Sequence, residues 1–247
     1  MKHTKQKLDP LAFFLGLLEG DGSIQVNHWK KRILQYRIII KLKFTHANYH
    51  MLSELKHSLP CMNLHVRNNY VLLVEDDQRK LKALISLIDK YGLLLHKTQK
   101  RYAFFKYCYH QKISYSEYSI LKNDFELFES KFNIPALTKE QMLALPHYKG
   151  WLAGFIEAEG CFSIRKNGRQ QSFSLGQKDE RECIDAIKHF FEVPNVVQVK
   201  KDGLFVIESG NRQAFKNMIS FFEDYPLQGE KMLSYQKYCK VFHTPRS

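Results

Sequence analysis

The segment FLGLLEGDGSI, Phe14 to Ile24, recurs as LAGFIEAEGCF, Leu152 to Phe162. At this offset of 138 residues Gly16 meets Gly154, Glu19 meets Glu157, Asp21 meets Glu159 and Gly22 meets Gly160. A duplicated unit sets the architecture before any single motif does, so the registers downstream decide whether the match is real. Leu52, Leu55 and Leu59 fall over Ile184, Ile187 and Phe191 at an offset of 132. Leu81, Leu84, Ile85 and Ile88 fall over Phe215, Met218, Ile219 and Phe222 at 134, each set spaced for one face of a helix. The same 134 lays Asn68-Asn69 over Asp202-Gly203, pairs that suit the positive φ of a tight hairpin turn.

Between the motif and the next helix each half alternates with period two. Ile24 and Val26 oppose Ser23, Gln25 and Asn27, and Tyr36, Ile38, Ile40 and Leu42 oppose Gln35, Arg37 and Lys41. The second half repeats this with Phe162 and Ile164 against Ser163 and Arg165, then Phe173 and Leu175 against Ser172 and Ser174. Such alternation marks strands with one buried and one open face. The expected fold is α+β: two pseudo-symmetric α-β-β-α-β-β-α repeats, 1–112 and 147–247, joined by a connector, 113–146, helical around Ser116 to Phe128. The antiparallel sheets would form a saddle whose polar face meets a partner.

Composition narrows that partner. Thirty-eight Lys and Arg against 25 Asp and Glu leave +13, and residues 1–110 alone hold 19 basic and 8 acidic groups. A polyanion such as nucleic acid fits this balance. Cys61, Cys108, Cys161, Cys183 and Cys239 are odd in number and form no CxxC pair, so they suggest neither a disulfide framework nor a zinc ribbon and fit a reducing compartment. The histidines show no compact ligand spacing. No stretch approaches the roughly 20 apolar residues of a membrane span, and no targeting peptide is recognisable.

In the first copy Asp9 is placed to cap a helix with Pro10 at its first position, running to an Asp21-Gly22 turn. Gly16 and Gly20 share a face of that helix, as do Gly154 and Ala158 in the second copy, and small residues at this spacing let two backbones approach closely. The motif helices are therefore expected to pack on each other at a pseudo-two-fold axis. Asp21 and Glu159 would then meet at two helix C-termini, an arrangement that is repulsive until cations enter. Hard divalent ions such as Mg²⁺ prefer oxygen ligands and complete their shell with water and phosphate, which points to metal-assisted phosphodiester hydrolysis on two antiparallel strands. Glu19 and Glu157, inside the helices, suit capping or orienting better than metal binding.

FLGLLEGDG and LAGFIEAEG, twice in one chain with strands after each, resemble the LAGLIDADG homing endonucleases of the single-chain, two-repeat type. The resemblance implies a monomeric, site-specific double-strand DNA endonuclease with a long pseudo-symmetric target, leaving short 3′ overhangs and promoting intron mobility. It implies metal ligation by Asp21 and Glu159 with Gly20 and Ala158 beside them, using Mg²⁺, with Mn²⁺ as substitute and Ca²⁺ supporting binding alone. Lys97 and Lys231, at the start of each unit's last helix, and Gln177, after the second strand, would complete the catalytic set; the counterpart of Gln177 is Thr45, so the half-sites are expected to be unequal. Base reading falls to Ser23, Gln25, Asn27, Gln35, Arg37, Lys41, Arg67, Ser163, Arg165, Asn167, Arg169, Gln170, Ser172, Gln198 and Lys200, because Arg pairs with guanine and Gln or Asn with adenine. Lys30, Arg32 and Lys201, at strand turns, suit phosphate contacts. The alternative partner is host intron RNA, bound by a maturase that no longer cuts DNA. A mitochondrial or plastid origin follows from the same resemblance.

Overall fold

The computed structural model describes residues 8–165 and 170–243. The first unit runs α1 (Pro10–Asp21), β1 (Gly22–Trp29), β2 (Ile33–Lys43), α2 (His46–Ser58), β3 (Asn63–Arg67), β4 (Tyr70–Glu75), α3 (Gln78–Tyr91) and α4 (His96–Gln111). The second unit runs α8 (Tyr148–Glu159), β5 (Cys161–Arg165), β6 (Gln170–Lys178), α9 (Arg181–Phe190), β7 (Gln198–Val199), β8 (Leu204–Ser209), α10 (Arg212–Asp224) and α11 (Glu230–His243). Between them lie α5 (Tyr115–Asn123), α6 (Phe125–Lys131) and α7 (Lys139–Ala144). The expected α-β-β-α-β-β-α order is present twice, and a further helix closes each unit. The sheets have matching antiparallel orders, β1-β2-β4-β3 and β5-β6-β8-β7.

The α1 helix begins where the sequence places it: Asp9 Oδ1 accepts the Leu11 amide at 2.9 Å, and Pro10 needs no amide partner. Ala12 to Leu18 are almost wholly buried, as are Trp151 to Ile156 on α8. Helices apolar all round belong to the interior, and these two pack on each other along their length. The glycines make this possible. A Cβ on Gly16 would fall on the carbonyl oxygen of Trp151, and one on Gly154 on that of Phe13. Gly20 faces the Ala158 methyl, and Gly150, which the motif comparison did not single out, faces Ala12.

The strand registers put Ile24, Tyr36, Ile38 and Ile40 on the helix side, where α2 and α3 cover them with Leu52, Leu55, Leu81, Leu84 and Ile88. The equivalent layer in the second unit is aromatic, with Phe162, Phe173, Phe215, Phe222 and Tyr238 in mutual contact. The connector is packed rather than slack. Tyr118 Oη donates to Val26 O at 2.9 Å, His96 Nε2 lies 2.7 Å from Ile134 O, and the Lys139 amide donates to Glu182 at 2.8 Å. Its α7 helix was not expected, although Thr138 and Gln141 form a reciprocal capping box there.

Local expectations fail at two turns. No turn separates α1 from β1: the helix continues through Asp21 and the strand starts at Gly22, whose amide still bonds Leu18 O. Asp202 and Gly203 do adopt positive φ, at 60° and 74°, but Asn68 and Asn69 do not. The left-handed pair in the first unit is Lys30-Lys31, at 48° and 55°, in the β1–β2 turn. Lysine is disfavoured in that region, so the pairing of β1 with β2 imposes it.

Substituting Gly16 or Gly154 by Ala puts a methyl group onto backbone that cannot yield without parting the helices. Each change is expected to cost about 3 kcal/mol or more, read as a fall in the urea midpoint of unfolding. A shift under about 0.5 kcal/mol would refute the close-contact account.

Candidate active site and sheet interface

The close approach of α1 and α8 fixes where their last residues lie. Gly20 sits against Ala158 and the Glu159 side chain, so Asp21 and Glu159 emerge together at the ends of the pair. Burial raises the pKa of Asp21, with Lys231 opposing the shift. Burial also raises that of Glu159, and the Asp21 charge adds to it, while a hydrogen bond from Gln177 and the charge of Lys231 counter. Burial is thus the main penalty on both acids, the Asp21 charge adds to it at Glu159, and Lys231 is the cation acting on both. Asp21, Lys231, Asn48, Glu157 and Ser234 line a polar cavity of about 280 Å³, room for several waters.

Lys231 reaches this place because its helix is seated by carboxylate oxygens. Glu157, fixed inside α8, accepts the amides of Gln228 and Gly229 at 3.0 Å and of Lys231 at 2.9 Å. Asn48 Oδ1 of the first unit accepts the Glu230 amide at 2.9 Å. A Cβ on Gly229 would stand 2.7 Å from Glu157 Oε1 and 2.8 Å from Asn48 Oδ1, so glycine is what lets both acceptors close in. The first unit repeats the device. Glu19 accepts Leu94 and Leu95 amides at 2.9 and 2.8 Å and the Trp151 indole at 2.7 Å. Glu180 of the second unit accepts the amides of His96 and Lys97 at 3.1 and 2.8 Å. Burial pushes Glu19 up to about 8 against these three donors, and raises Glu157 and Glu180 as well. The capping role expected for Glu19 and Glu157 is what the geometry shows. Glu180 and Asn48 were missed, though the offset of 132 that aligns the flanking helices pairs them with each other.

The remaining candidates divide. Gln177 lies within β6 rather than after it, and its side chain bonds Glu159. Thr45 is committed elsewhere, accepting the Asn48 amide at 3.1 Å as the cap of α2. Lys97, its amide fixed, lines a second cavity with Gln25, Asn27, Lys100, Arg101 and Tyr118, whereas Lys231 is the cation that acts on the two carboxylates. Among the described residues no group of three or more His, Cys, Asp or Glu gathers in metal-binding proximity.

The open sheet faces hold the candidates for base reading. Ser23, Gln25 and Asn27 stand opposite Ile39, Arg37 and Gln35, and Lys41 belongs to the same face. Arg67 joins it opposite Tyr70. In the second unit Ser163 pairs with Ser172 and Arg165 with Gln170, while Gln198, opposite Val206, shares that face. Lys30, Arg32 and Lys201 lie exposed in turns, and Lys200 beside the last of these. Asn167 and Arg169 lie outside the described residues. Tyr70 and Trp29 were not expected: Lys41 Nζ sits 4.2 Å over the Tyr70 ring and Lys30 Nζ 4.7 Å over Trp29. Arg37 is held by Asp76 at 2.9 Å, an exposed pair that a partner can replace cheaply.

A pair of glycine-packed helices ending in two acids, with an antiparallel sheet after each, defines the LAGLIDADG architecture. The family profile described as LAGLIDADG endonuclease matches residues 14–110 and 152–242, and the chain belongs to that family. The probable intron-encoded endonuclease aI3 of Dictyostelium citrinum is 31% identical over 98% of this chain and all of its own length. Its namesake in Debaryomyces hansenii is 33% identical over 92% of this chain, which spans 37% of that protein. An uncharacterised mitochondrial protein of Saccharomyces cerevisiae, RF1, is 24% identical over 39% of this chain. Among solved structures, the meganuclease I-AabMI bound to uncleaved DNA superposes with a TM-score of 0.67 at 22% identity, covering 95% of this chain and 90% of that one. I-SmaMI on an uncleaved DNA target with calcium ions gives 0.69 at 17% identity, covering 96% and 91%. No helix among the described residues is long and apolar enough to cross a membrane.

Because the folded protein raises the pKa of both motif acids, their contribution to stability is fully present below the ordinary carboxylate pKa and is lost as pH rises through the raised values. In metal-free buffer at pH 7–8, Asp21→Asn and Glu159→Gln are therefore expected to raise the Tm, by up to about 3 °C, and the gain should vanish towards pH 4. Melting curves across that range would show a pH-independent or negative change if burial did not hold both acids above the ordinary carboxylate range.

Proposed function

We propose that this protein is a monomeric, site-specific double-strand DNA endonuclease encoded within a mobile intron of a mitochondrion or plastid. The observation that carries the reading is the juxtaposition of Asp21 and Glu159 at the centre of two units that each present a polar sheet face, the first of them rich in cations. A charge of +13 supports a polyanionic partner, and the names of the intron-encoded relatives support the chemistry. The two sheets form a saddle over a long, pseudo-symmetric target, and one acid of the pair serves each strand, leaving short 3′ overhangs.

The two carboxylates at the ends of the packed helices suit Mg²⁺ or Mn²⁺, being oxygen donors only and too few for a closed cage without substrate phosphate and water. When bound, the metal lowers the pKa of the attacking water and neutralises charge on the leaving oxygen. Asp21 and Glu159 hold it, with the main chain of Gly20 and Ala158 alongside. Lys231, at the partly enclosed cavity beside Asp21, holds a positive charge where the scissile phosphate must approach. Gln177 orients Glu159 in the second half-site, and Lys97 reaches the phosphate from the first. Cutting requires this carboxylate pair, whereas assisting an intron RNA to fold does not.

The test is selection of a target from a randomised duplex library, followed by cleavage in Mg²⁺ and binding in Ca²⁺. Asp21→Asn or Glu159→Gln should slow double-strand cleavage by about a thousandfold or more while leaving affinity in Ca²⁺ within a few-fold. Binding without cleavage by the wild-type protein in any divalent metal would remove the enzyme reading in favour of a binding or RNA-assisting protein.

A further inference from the structure

We propose that Glu180 and Asn48 are positioning residues that act across the pseudo-two-fold, each setting the lysine of the opposite unit and so governing cleavage of one strand. This rests on the endonuclease reading above and adds to it a division of labour between the units. Glu180 stands at the first turn of α9, at the N-cap position, yet makes no capping bond to its own helix. Its two oxygens instead take the His96 and Lys97 amides of α4, 84 and 83 residues away in sequence. Asn48 does the reverse, sending Oδ1 from α2 of the first unit to the Glu230 amide at the head of α11, 182 residues away, while its Nδ2 is anchored on Lys43 O at 3.0 Å.

Glu19 and Glu157 hold the other amides of each turn from within the same unit, that of Lys231 among them, so each lysine-bearing turn is clamped by one residue from its own unit and one from the other. Such a clamp controls position as well as stability. The first amides of a helix have no intrahelical acceptor, and an anionic acceptor fixes their direction. In α4 the Lys97 amide itself is one of the bonded groups, so moving Glu180 moves the Cα that carries the cation. The pair is also unequal. Two carboxylates, Glu19 and Glu180, face the head of α4, whereas one carboxylate and a neutral amide, Glu157 and Asn48, face that of α11. Loss of either cross-unit residue should therefore impair one half-site and spare the other.

The experiment uses the full chain and a target duplex with a different fluorophore on each strand, comparing Glu180→Gln with Lys97→Ala and Asn48→Ala with Lys231→Ala. Glu180→Gln is expected to slow, by about tenfold, the strand that Lys97→Ala slows, and to leave the other strand within about twofold; Asn48→Ala should share the strand bias of Lys231→Ala. A cap serving only general stability would slow both strands alike, and that result, or the absence of strand bias in either lysine variant, overturns the proposal. Hydrogen exchange on the free variants gives an arm independent of cleavage. The amides of His96 and Lys97 should exchange faster in Glu180→Gln, and that of Glu230 in Asn48→Ala, with the α1 and α8 amides unchanged. Unaltered exchange at those positions also overturns it. A wild-type protein that nicks neither strand in Mg²⁺ counts against the endonuclease reading instead, and the exchange result still decides whether the cross-unit caps hold.

Discussion

The contact between α1 and α8 is the constraint from which the rest follows. Two backbones meet at glycine, and because no side chain intervenes, the ends of the helices can be neither separated nor staggered without unpacking an apolar interior. The packing that buries Phe13, Leu17, Trp151 and Phe155 also forces two carboxylates together. Hydrophobic burial and close dispersion contact thus oppose a desolvation and electrostatic penalty that Lys231 and Gln177 relieve only in part, since both acids stay raised.

The same helices do a second job one turn earlier. Glu19 and Glu157 lie inside them, and their carboxylates bond the heads of α4 and α11. Each motif segment therefore delivers one acid to the centre and another to the turn that carries a lysine. The two acids are two residues apart, which on a helix turns them about 200° from each other. This spacing explains why one short segment can organise both the anionic and the cationic sides of the site.

Much of this is legible in the sequence because it is local and periodic. The glycine spacing predicts the helix pair, the two-residue alternation predicts which strand faces are open, and repetition of both removes ambiguity. What was not legible depends on contacts distant in the chain. Nothing near Glu180 or Asn48 marks a partner more than 80 residues away, and only their shared offset links them. Nor does composition reveal that Thr45 is spent on capping α2, or that Lys97 lines a cavity with β1 residues while Lys231 lines the one beside Asp21. At the β1–β2 turn the rule that asparagine and glycine take positive φ fails because strand pairing dictates the backbone, and two lysines follow.

The reciprocal clamps also bear on how such a chain can be recombined. Joining this first unit to a foreign second unit would preserve the helix pair wherever glycine still faces glycine, so the hybrid could fold. Its α4 head would nonetheless lose the oxygen donated by residue 180, and the foreign lysine turn would meet an asparagine chosen for another neighbour. Shuffled hybrids would thus inherit intact scaffolds with misaligned centres, and exchanging positions 48 and 180 along with the halves they serve would be the repair.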